Sequence, residues 1–274
     1  MENGTITYTQ LLREDLGIFR VTPDDGTVPD FKAGQFLTLG LPLESKIVNR
    51  AYSIASSPEN KKFFEFVIRW VRRPLPGRLT SLLFNSKEGD KISWAKPAGN
   101  LTINDTLPNG EKDTRRIICI GGGTGLAPFV SFAQHLHDTN DKREIVVLHG
   151  ASYVDELSYK QLLTDLENES IDKGKDKWNF KYRAAISRPE EWTNRAWNGH
   201  KGRIEQFLRT TDAGKTPLEE LVGEKITKDN TMFYVCGWQG TIDGTMDYLK
   251  TKNFVSERNK REDGSYEVKF ESYG

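Results

Sequence analysis

A run of glycines constrains the fold of this chain more than any other feature. Four of the eight residues at positions 121–128 are glycine, and the run lies between an apolar segment and a helical pattern. Glycines let a backbone turn sharply and approach a ligand closely, and the helix start offers free N–H groups to a phosphate. Pro128 suits a first helical turn, where a missing N–H costs little. The run predicts a phosphate-binding loop, or else a tight strand-to-helix turn that binds nothing.

The sequence after this run alternates between short apolar segments and helical patterns. The predicted strands are residues 116–120, 144–149, 180–186 and 232–236, and the predicted helices include residues 125–136 and 155–166. Such alternation is typical of an α/β domain with a parallel sheet. His149-Gly150 stands at the end of the second strand, where a dinucleotide fingerprint of the G-x-G-x-x-G type would have an acidic residue.

The first hundred residues show a different pattern. Residues 5–12, 34–41, 51–55 and 63–71 are rich in β-branched, aromatic and aliphatic side chains, turn-formers separate them, and residues 79–84 form one short helical stretch. Many short strands predict an antiparallel β-barrel. A polar stretch at 104–114 indicates a linker. We therefore expect two domains, a barrel at residues 1–113 and an α/β domain at 114–274.

Composition excludes several classes of protein. Hydrophobic residues make up 36% and charged residues 28% of the chain, and 39 basic side chains balance 39 acidic ones, which gives no global preference for nucleic acid. The two cysteines, Cys119 and Cys236, are too few for an all-cysteine iron–sulfur cluster and far apart in sequence. The histidines have no metal-ligand spacing. We expect a cytoplasmic protein without a signal peptide, membrane span or metal site.

Residues 50–53, Arg-Ala-Tyr-Ser, form the first candidate site. Side chains two residues apart on a strand point to the same side, so Arg50 and Tyr52 should face one ligand. A guanidinium suits a diphosphate, and a tyrosine ring can lie flat on an aromatic cofactor. An ordinary strand with a surface arginine would show the same four residues.

Four motifs, in order along nearly the whole chain, resemble those of the ferredoxin–NADP reductase family. They are Arg-x-Tyr-Ser at residues 50–53, Gly-x-x-Ser/Thr at residues 77–81, Gly-x-Gly-x-Gly-x-x-Pro at residues 121–128, and Cys236-Gly237. The resemblance implies an FAD-dependent, NADP(H)-linked reductase, in which the barrel binds FAD and the α/β domain binds the nucleotide.

The resemblance also implies roles for particular residues. Arg50 would hold the FAD pyrophosphate, Tyr52 would stack on the isoalloxazine, and Ser53 would lie near its N5 atom. The residues that should contact FAD are Arg50, Ala51, Tyr52, Ser53, Arg69, Trp70, Gly77, Arg78, Leu79 and Thr80. Those that should contact NADP(H) are Gly122, Gly123, Thr124, Gly125, Pro128, Ser187, Arg188, Arg203, Cys236 and Gly237. Ser53, Cys236, Glu271 and Tyr273 are the expected catalytic residues.

Ser187-Arg188 and Gly202-Arg203-Ile204 resemble the segments with which family members bind the 2′-phosphate of NADP. Two guanidiniums suit a dianionic phosphate, and the missing acidic residue after the second strand agrees with NADP. Some bacterial members have an arginine where this chain has Ser152. For Arg188 and Arg203, ordinary surface charge is the alternative.

The chain ends in Phe270-Glu271-Ser272-Tyr273-Gly274, whereas plant-type members of the family end in Glu-x-Tyr. By this resemblance, Tyr273 or Phe270 would cover the flavin face where the nicotinamide must bind, and would move aside for hydride transfer. A frayed tail is the alternative.

The resemblance implies an external one-electron carrier, ferredoxin or flavodoxin. We also expect a monomer, although the sequence leaves the oligomeric state open. Arg69, Arg72, Arg73 and Arg78 could steer such an acidic partner, or could belong to a solvated charged loop. The physiological carrier, the direction of electron flow and the FAD conformation stay open. Two rival functions also stay open, a reductase component of an oxygenase system and a non-catalytic flavin-binding redox sensor.

Overall fold

The structure is a computed structural model that describes residues 1–72 and 77–273. Contacts between Cα atoms fall into two compact units. The first unit contains residues 1–102 and 127–139, and the second contains residues 103–126 and 140–274.

The first unit is built on a six-stranded antiparallel sheet. Its elements are β1 Glu2–Arg13, β2 Leu16–Pro23, β3 Phe36–Leu43, β4 Lys46–Ser53, β5 Phe64–Arg69, α1 Arg78–Asn85 and β6 Lys91–Trp94. The strand order is β4-β3-β6-β1-β2-β5. Just beyond β4, the Ala55 N–H donates to the Glu65 carbonyl of β5 at 2.8 Å, which links the two outer strands. The predicted antiparallel barrel is confirmed.

The core of this unit lies inside the curved sheet. Phe19, Phe64 and Phe66 are fully buried there, and α1 adds Leu79 and Leu83 from one face. Each such side chain contributes about 1.5–3 kcal/mol when it leaves water. The sequence patterns did not predict β2 or β6. Strand β2 has Gly17 near its start and Pro23 at its end, and both are turn-forming residues. Strand β6 has only four residues.

The second unit is built on a six-stranded parallel sheet. The remaining elements of the chain are β7 Arg116–Gly122, α2 Ala127–Asp138, β8 Ile145–Ala151, α3 Lys160–Lys173, β9 Phe180–Ile186, β10 His200–Lys201, α4 Pro217–Val222, β11 Thr231–Gly237, α5 Gln239–Thr251 and β12 Val268–Ser272. The strand order is β10-β9-β8-β7-β11-β12. Helix α2 belongs by its contacts to the first unit, where the Ser131 hydroxyl donates to the Ser56 carbonyl at 2.8 Å. The predicted parallel α/β sheet is confirmed.

The central strands β7, β8 and β11 are buried on both faces, which agrees with their predominantly apolar sequences. Because all strands run in one direction, their carboxyl ends meet at a single edge of the sheet. In open α/β sheets ligands bind at that edge. The glycine run begins there, at the end of β7.

Two predicted helices differ in where they begin. The helix predicted over residues 125–136 starts as a 3-10 turn at Gly123–Leu126 and becomes α-helical at Ala127. The helix predicted over residues 155–166 is split into a 3-10 turn at Val154–Glu156 and α3. Tyr159, with φ +57°, adopts a left-handed conformation between them that no apolar periodicity reveals.

The C-terminal segment forms an ordered strand rather than a frayed tail. Strand β12 pairs in parallel with β11, and Glu271 lies opposite Cys236. Across residues 1–72 and 77–273, no helix combines the length and the apolar character needed to cross a bilayer.

Candidate flavin and nucleotide sites

Strand β4, an outer strand of the first unit's sheet, carries Arg50, Ala51 and Tyr52. Arg50 and Ala51 are exposed, and Ser53 is buried at the strand's end. Burial raises the pKa of Tyr52, while its bond to Thr80 and the Arg50 charge lower it. The influence of Arg50 on Tyr52 is what side chains on one side of a strand should show.

Helix α1 brings Thr80 and the Gly77 segment up to Tyr52. The hydroxyls of Tyr52 and Thr80 are 3.0 Å apart. Both the N–H and the hydroxyl of Ser81 donate to the Gly77 carbonyl at 2.9 Å. Among the described residues, no side chain caps the amino end of α1. Its first N–H groups therefore suit an anion. The Leu79 side chain is in the core, so only its backbone could contact FAD.

The arginines near the end of β5 already have acidic partners. Arg69 pairs with Asp15 at 3.1 Å, and Arg72 pairs with Glu14 at 3.4 Å. The Arg72 guanidinium also lies 4.3 Å from the centre of the Trp70 ring. Arg78 is exposed at the start of α1, and Arg73 lies outside the described residues. The predicted basic patch is thus partly neutralised at two of its positions.

The glycine loop is packed so closely that side chains are excluded. A Cβ atom on Gly125 would lie 2.3 Å from the Cys236 carbonyl oxygen, and one on Gly122 would lie 2.7 Å from the Thr241 hydroxyl. Gly237 has φ +150° and faces the Gly122 backbone. These contacts bring the glycine run and the Cys236-Gly237 motif together at the carboxyl edge of the sheet.

Gly123 and Thr124 form the open side of this loop. Gly123 has φ +57°, and a Cβ there would meet no described atom within 4 Å. The loop thus has one tightly packed face and one free face that a ligand could approach. Pro128 is the second residue of α2 and is buried. Glycine at a left-handed position, with free space beside it, fits a phosphate-binding loop.

The predicted 2′-phosphate segment places Arg188 beside an aromatic ring. The exposed Arg188 guanidinium donates to the Tyr153 hydroxyl at 2.8 Å. The amide of Asn194 donates to the Ser152 and Arg188 carbonyls at 2.9 and 2.7 Å. The N–H of exposed Ser187 donates to the Ala151 carbonyl at 2.9 Å. These bonds hold the ends of β8 and β9 side by side.

Arg203 lies on a different element and has other partners. Its guanidinium pairs with the buried Glu205 carboxylate and donates to the Gly240 carbonyl at 3.0 Å. The structure therefore joins Arg188 to Tyr153, and Arg203 to the start of α5. Arg203 would have to share its charge between Glu205 and a phosphate.

Cys236, Glu271 and Tyr273 meet on neighbouring strands. Burial raises the pKa of the Cys236 thiol, although a hydrogen bond from the Tyr273 side chain opposes that shift. Burial also raises the pKa of Glu271. The Tyr273 N–H donates to the Gly237 carbonyl at 3.0 Å. Phe270 instead packs against the core of the second unit and under Arg258.

Tyr153, Asn194 and Thr241 complete this site and were not predicted from the sequence. Tyr153 lies three residues past His149-Gly150, so an aromatic residue near the end of the second strand was an available signal. Asn194 and Thr241 had no local signal, because their contacts with residues 152 and 122 depend on the tertiary fold.

Both candidate sites fit the groups that their motifs suggest. In the first unit, a flat tyrosine ring, an exposed guanidinium and an uncapped helix start suit an aromatic ring and a diphosphate. In the second, a glycine loop with a free face suits a dinucleotide. Such an antiparallel barrel and such a parallel sheet within one chain define the class of FAD- and NAD(P)-binding flavin oxidoreductases.

Comparison with known proteins identifies the family within this class. Residues 3–103 match the oxidoreductase FAD-binding domain and residues 119–247 the oxidoreductase NAD-binding domain. The ferredoxin–NADP reductase of Azotobacter vinelandii is 31% identical over 221 residues, which are 80% of this chain and 78% of that protein. This chain belongs to the ferredoxin–NADP reductase family. The predicted cofactor, FAD, and a nicotinamide dinucleotide are thereby confirmed, and so is an electron carrier as partner.

Relatives with other partners also match. One component of the Na⁺-translocating NADH-quinone reductase of a Marinomonas species is 31% identical over 197 residues, covering 69% of this chain and 42% of that protein. Among solved structures, a ferredoxin–NADP⁺ reductase from Neisseria gonorrhoeae with bound FAD and NADP has a TM-score of 0.77 at 21% identity. It covers 98% of this chain and 97% of that one. The structural likeness shows the same fold.

Proposed function

We propose that this protein is a ferredoxin(flavodoxin)–NADP reductase, in which FAD mediates electron transfer between NADPH and a one-electron carrier protein. The observation that carries this proposal is the exposed Arg188 guanidinium beside Tyr153, at the carboxyl edge of the parallel sheet. A 2′-phosphate there would accept hydrogen bonds from the charged guanidinium of Arg188, which lies next to an aromatic ring that an adenine could contact. NAD lacks that phosphate and would gain nothing from Arg188.

In the flavin site, the proposed roles follow from exposure and from hydrogen bonding. Arg50 is free to pair with the diphosphate, because its one described bond goes to the neighbouring Asn49 carbonyl. Tyr52 is fixed by Thr80 and can lie on the flavin ring. Arg78 and the N–H groups of Leu79 and Thr80 would complete the phosphate contacts. Ser53 would lie at the ring edge, and Arg69 and Trp70 beside it.

In the nucleotide site, backbone groups of Gly122, Gly123, Thr124 and Gly125 would bind the pyrophosphate. Ser187 and Arg188 would bind the 2′-phosphate, with Arg203 as a weaker partner because of Glu205. In this proposal the glycine loop binds the pyrophosphate, which NAD and NADP share, and Arg188 binds the 2′-phosphate, which only NADP carries.

The residues near Gly237 would control access and protons. When bound, FAD accepts a hydride from NADPH and releases electrons one at a time. Tyr273 is the aromatic residue that we assign to the nicotinamide position, and its displacement would admit the ring. Cys236 would present a neutral thiol. Glu271 would hold a proton at its carboxylate more tightly than an exposed glutamate does, because burial raises its pKa.

The electron acceptor would lie outside these 274 residues. The chain has two cysteines, both buried, so it cannot supply four thiolates for a cluster of its own. We expect an acidic carrier, ferredoxin or flavodoxin, with exposed Arg78 contributing to its attraction. We further expect a monomer, testable by light scattering, and a cytoplasmic location, testable by fractionation of the native host's cells.

Substitution of Arg188 tests the nucleotide preference. Arg188→Ala should lower kcat/KM for NADPH by about 10- to 100-fold, because a charge-assisted bond contributes about 1.5–3 kcal/mol. The kcat/KM for NADH should stay unchanged. Both values are measured with ferricyanide as the electron acceptor. Arg209→Ala is a matched control, since Arg188 and Arg209 are both exposed and both lie 5.4 Å from a tyrosine ring centre. Equal losses with both nucleotides, or none, would contradict the role of Arg188.

Carrier specificity separates the proposed function from its rivals. NADPH-dependent reduction of ferredoxin or flavodoxin should be fast at low salt and should slow as salt increases. Exclusive activity toward an oxygenase component would favour a dedicated oxygenase reductase. A flavin-loaded protein that NADPH does not reduce would favour a non-catalytic redox sensor.

A further inference from the structure

Arg188 and Arg203 occupy matching positions on two neighbouring strands. Strand β10 pairs in parallel with β9, with Lys201 opposite Ile186, and each arginine comes two residues after its strand ends. The Gly202 N–H donates to the Ile186 carbonyl at 2.8 Å, which continues this register beyond β10. Because the strands are parallel, both arginines follow the carboxyl edge of the sheet. The two arginines therefore differ in their partners rather than in their place along the strands.

Glu205 is the partner that distinguishes Arg203. Its carboxylate forms an ion pair with Nε of Arg203, and the Glu205 side chain is 7% exposed whereas that of Arg203 is 55% exposed. A Cβ atom on Gly244 of α5 would lie 2.9 Å from Glu205 Oε1, so the carboxylate is packed against this helix. Arg188, in contrast, donates to the Tyr153 hydroxyl. A buried carboxylate thus lies beside one of the two guanidiniums.

The hydrogen bonds of Arg203 leave part of its guanidinium for a ligand. Nε donates to Glu205, and Nη2 donates to the Gly240 carbonyl at 3.0 Å. In the part of the chain that the structure describes, Nη1 donates to no residue. Arg203 can therefore contact an anion, but the negative charge of Glu205 repels that anion and offsets the attraction of the arginine. Because the carboxylate is buried, salt screens this repulsion less than it screens an exposed charge.

We propose that Glu205 is a specificity-determining residue, which acts through Arg203 and lowers the preference of this site for NADPH over NADH. The inference rests on the proposed binding of the 2′-phosphate beside Arg188. That phosphate carries up to two negative charges, whereas NADH has an uncharged hydroxyl at the same position. The Glu205 charge should therefore weaken the binding of NADPH and affect NADH much less.

Replacement of the charge alone tests this role. Glu205→Gln keeps an oxygen that can accept the bond from Arg203 Nε, and it removes the negative charge. It should raise kcat/KM for NADPH by about 3- to 10-fold through a lower KM, and change the kcat/KM for NADH by less than about 2-fold. Both values are measured on the FAD-loaded protein with ferricyanide as the electron acceptor. A damaged fold would lower both values, so a gain confined to NADPH cannot arise from a structural defect.

A double variant keeps the test decisive if Glu205→Gln does not fold. Arg203→Gln combined with Glu205→Gln replaces the ion pair by two uncharged amides, so no buried charge is left without a partner. If Glu205 offsets most of the Arg203 charge, the ratio of kcat/KM for NADPH to that for NADH should stay within about 3-fold of wild type. A larger loss of NADPH preference would show that Arg203 acts at full strength beside Glu205, and it would overturn the inference.

Asp243→Asn is the matched control, because Asp243 is an exposed carboxylate on α5, the helix against which Glu205 packs. Solvent screens its charge, so the ratio should change by less than about 2-fold. An equal gain in Asp243→Asn, or an unchanged or lower ratio in a folded Glu205→Gln variant, would overturn the inference alone. If wild type uses NADPH and NADH equally and Arg188→Ala has no effect, the proposed NADP preference fails, and this inference fails with it.

Discussion

The two proposed binding sites are built in different ways. In the first unit, Arg50 and Tyr52 extend from an edge strand, and the Arg50 guanidinium is exposed. In the second unit, Gly122, Gly125 and Gly237 pack backbone against backbone, with no room for a methyl group at Gly125. Removal of a side chain from the flavin site should therefore lower its affinity for FAD and leave the fold intact. Addition of a side chain to the glycine loop should lower both the affinity for the nucleotide and the stability of the fold.

The largest effect is expected from a single methyl group at Gly125. In Gly125→Ala the new Cβ would lie 2.3 Å from the Cys236 carbonyl oxygen and 2.5 Å from its carbon, both backbone atoms that cannot move alone. We expect a loss of about 3 kcal/mol in the free energy of unfolding. The Kd for NADP⁺ should rise by more than about 10-fold, with both quantities measured by urea unfolding and by titration.

Gly123→Ala sharpens this prediction. The added methyl group would meet no described atom within 4 Å. The expected loss of stability is about 1–2 kcal/mol, because alanine would have to adopt a left-handed backbone conformation. It should therefore destabilise the protein less than Gly125→Ala. Equal stability of Gly125→Ala and wild type would contradict the close packing of the loop.

Removal of the Arg50 side chain should have the opposite character. Arg50→Ala should weaken FAD binding by about 10- to 100-fold, because a charge-assisted bond to the diphosphate is lost. The thermal midpoint of the flavin-free protein should not change. Flavin fluorescence measures the first quantity and circular dichroism the second. Lys46→Ala, an exposed basic residue on the same strand, is the control. A lower thermal midpoint of Arg50→Ala together with an unchanged affinity for FAD would contradict this difference between the two sites.

A smaller effect is expected where a side chain of the flavin site is held by another. Tyr52→Phe keeps the ring and removes the bond to the Thr80 hydroxyl, which should cost about 1 kcal/mol of stability. Thr80→Val removes the same bond from the other side. The double variant should cost less than the sum of the two. Additive losses in urea unfolding would show that this bond does not couple β4 to α1.

The smallest effect is a pH dependence from Glu271. Burial raises the pKa of Glu271 above its ordinary value of 4.5, so the folded chain binds this proton more tightly than the unfolded chain. Its contribution to stability should therefore fall as the pH rises from 4.5 through the raised pKa. The urea midpoint of wild type minus that of Glu271→Gln should decrease over this window and then level off. A constant difference would contradict the burial of the Glu271 carboxylate.

Local sequence patterns predicted most of the fold, and they placed two side chains of the candidate flavin site on one strand. The two-residue period of a strand was sufficient to place Arg50 and Tyr52 on one side, and strand–helix alternation predicted the parallel sheet. The same patterns did not show which of Tyr273 and Phe270 packs into the core. That answer depends on the register of β12 and on its packing in the second unit.

What the sequence did not predict depends on contacts between distant segments. Arg203 was expected to be available for a phosphate, yet Glu205 and Gly240 bind it. Tyr153 and Asn194 are brought to Arg188 only when the ends of β8 and β9 meet. Local periodicity carries no information about such pairs.

Anaerobic stopped-flow mixing of the FAD-loaded protein with NADPH, and separately with NADH, tests the central claim most directly. The account predicts rapid bleaching of the flavin absorbance with NADPH and slow bleaching with NADH, because Arg188 binds a phosphate that only NADPH carries. Equal rates would contradict the NADP preference. No bleaching with either nucleotide would contradict the assignment of reductase activity to this chain.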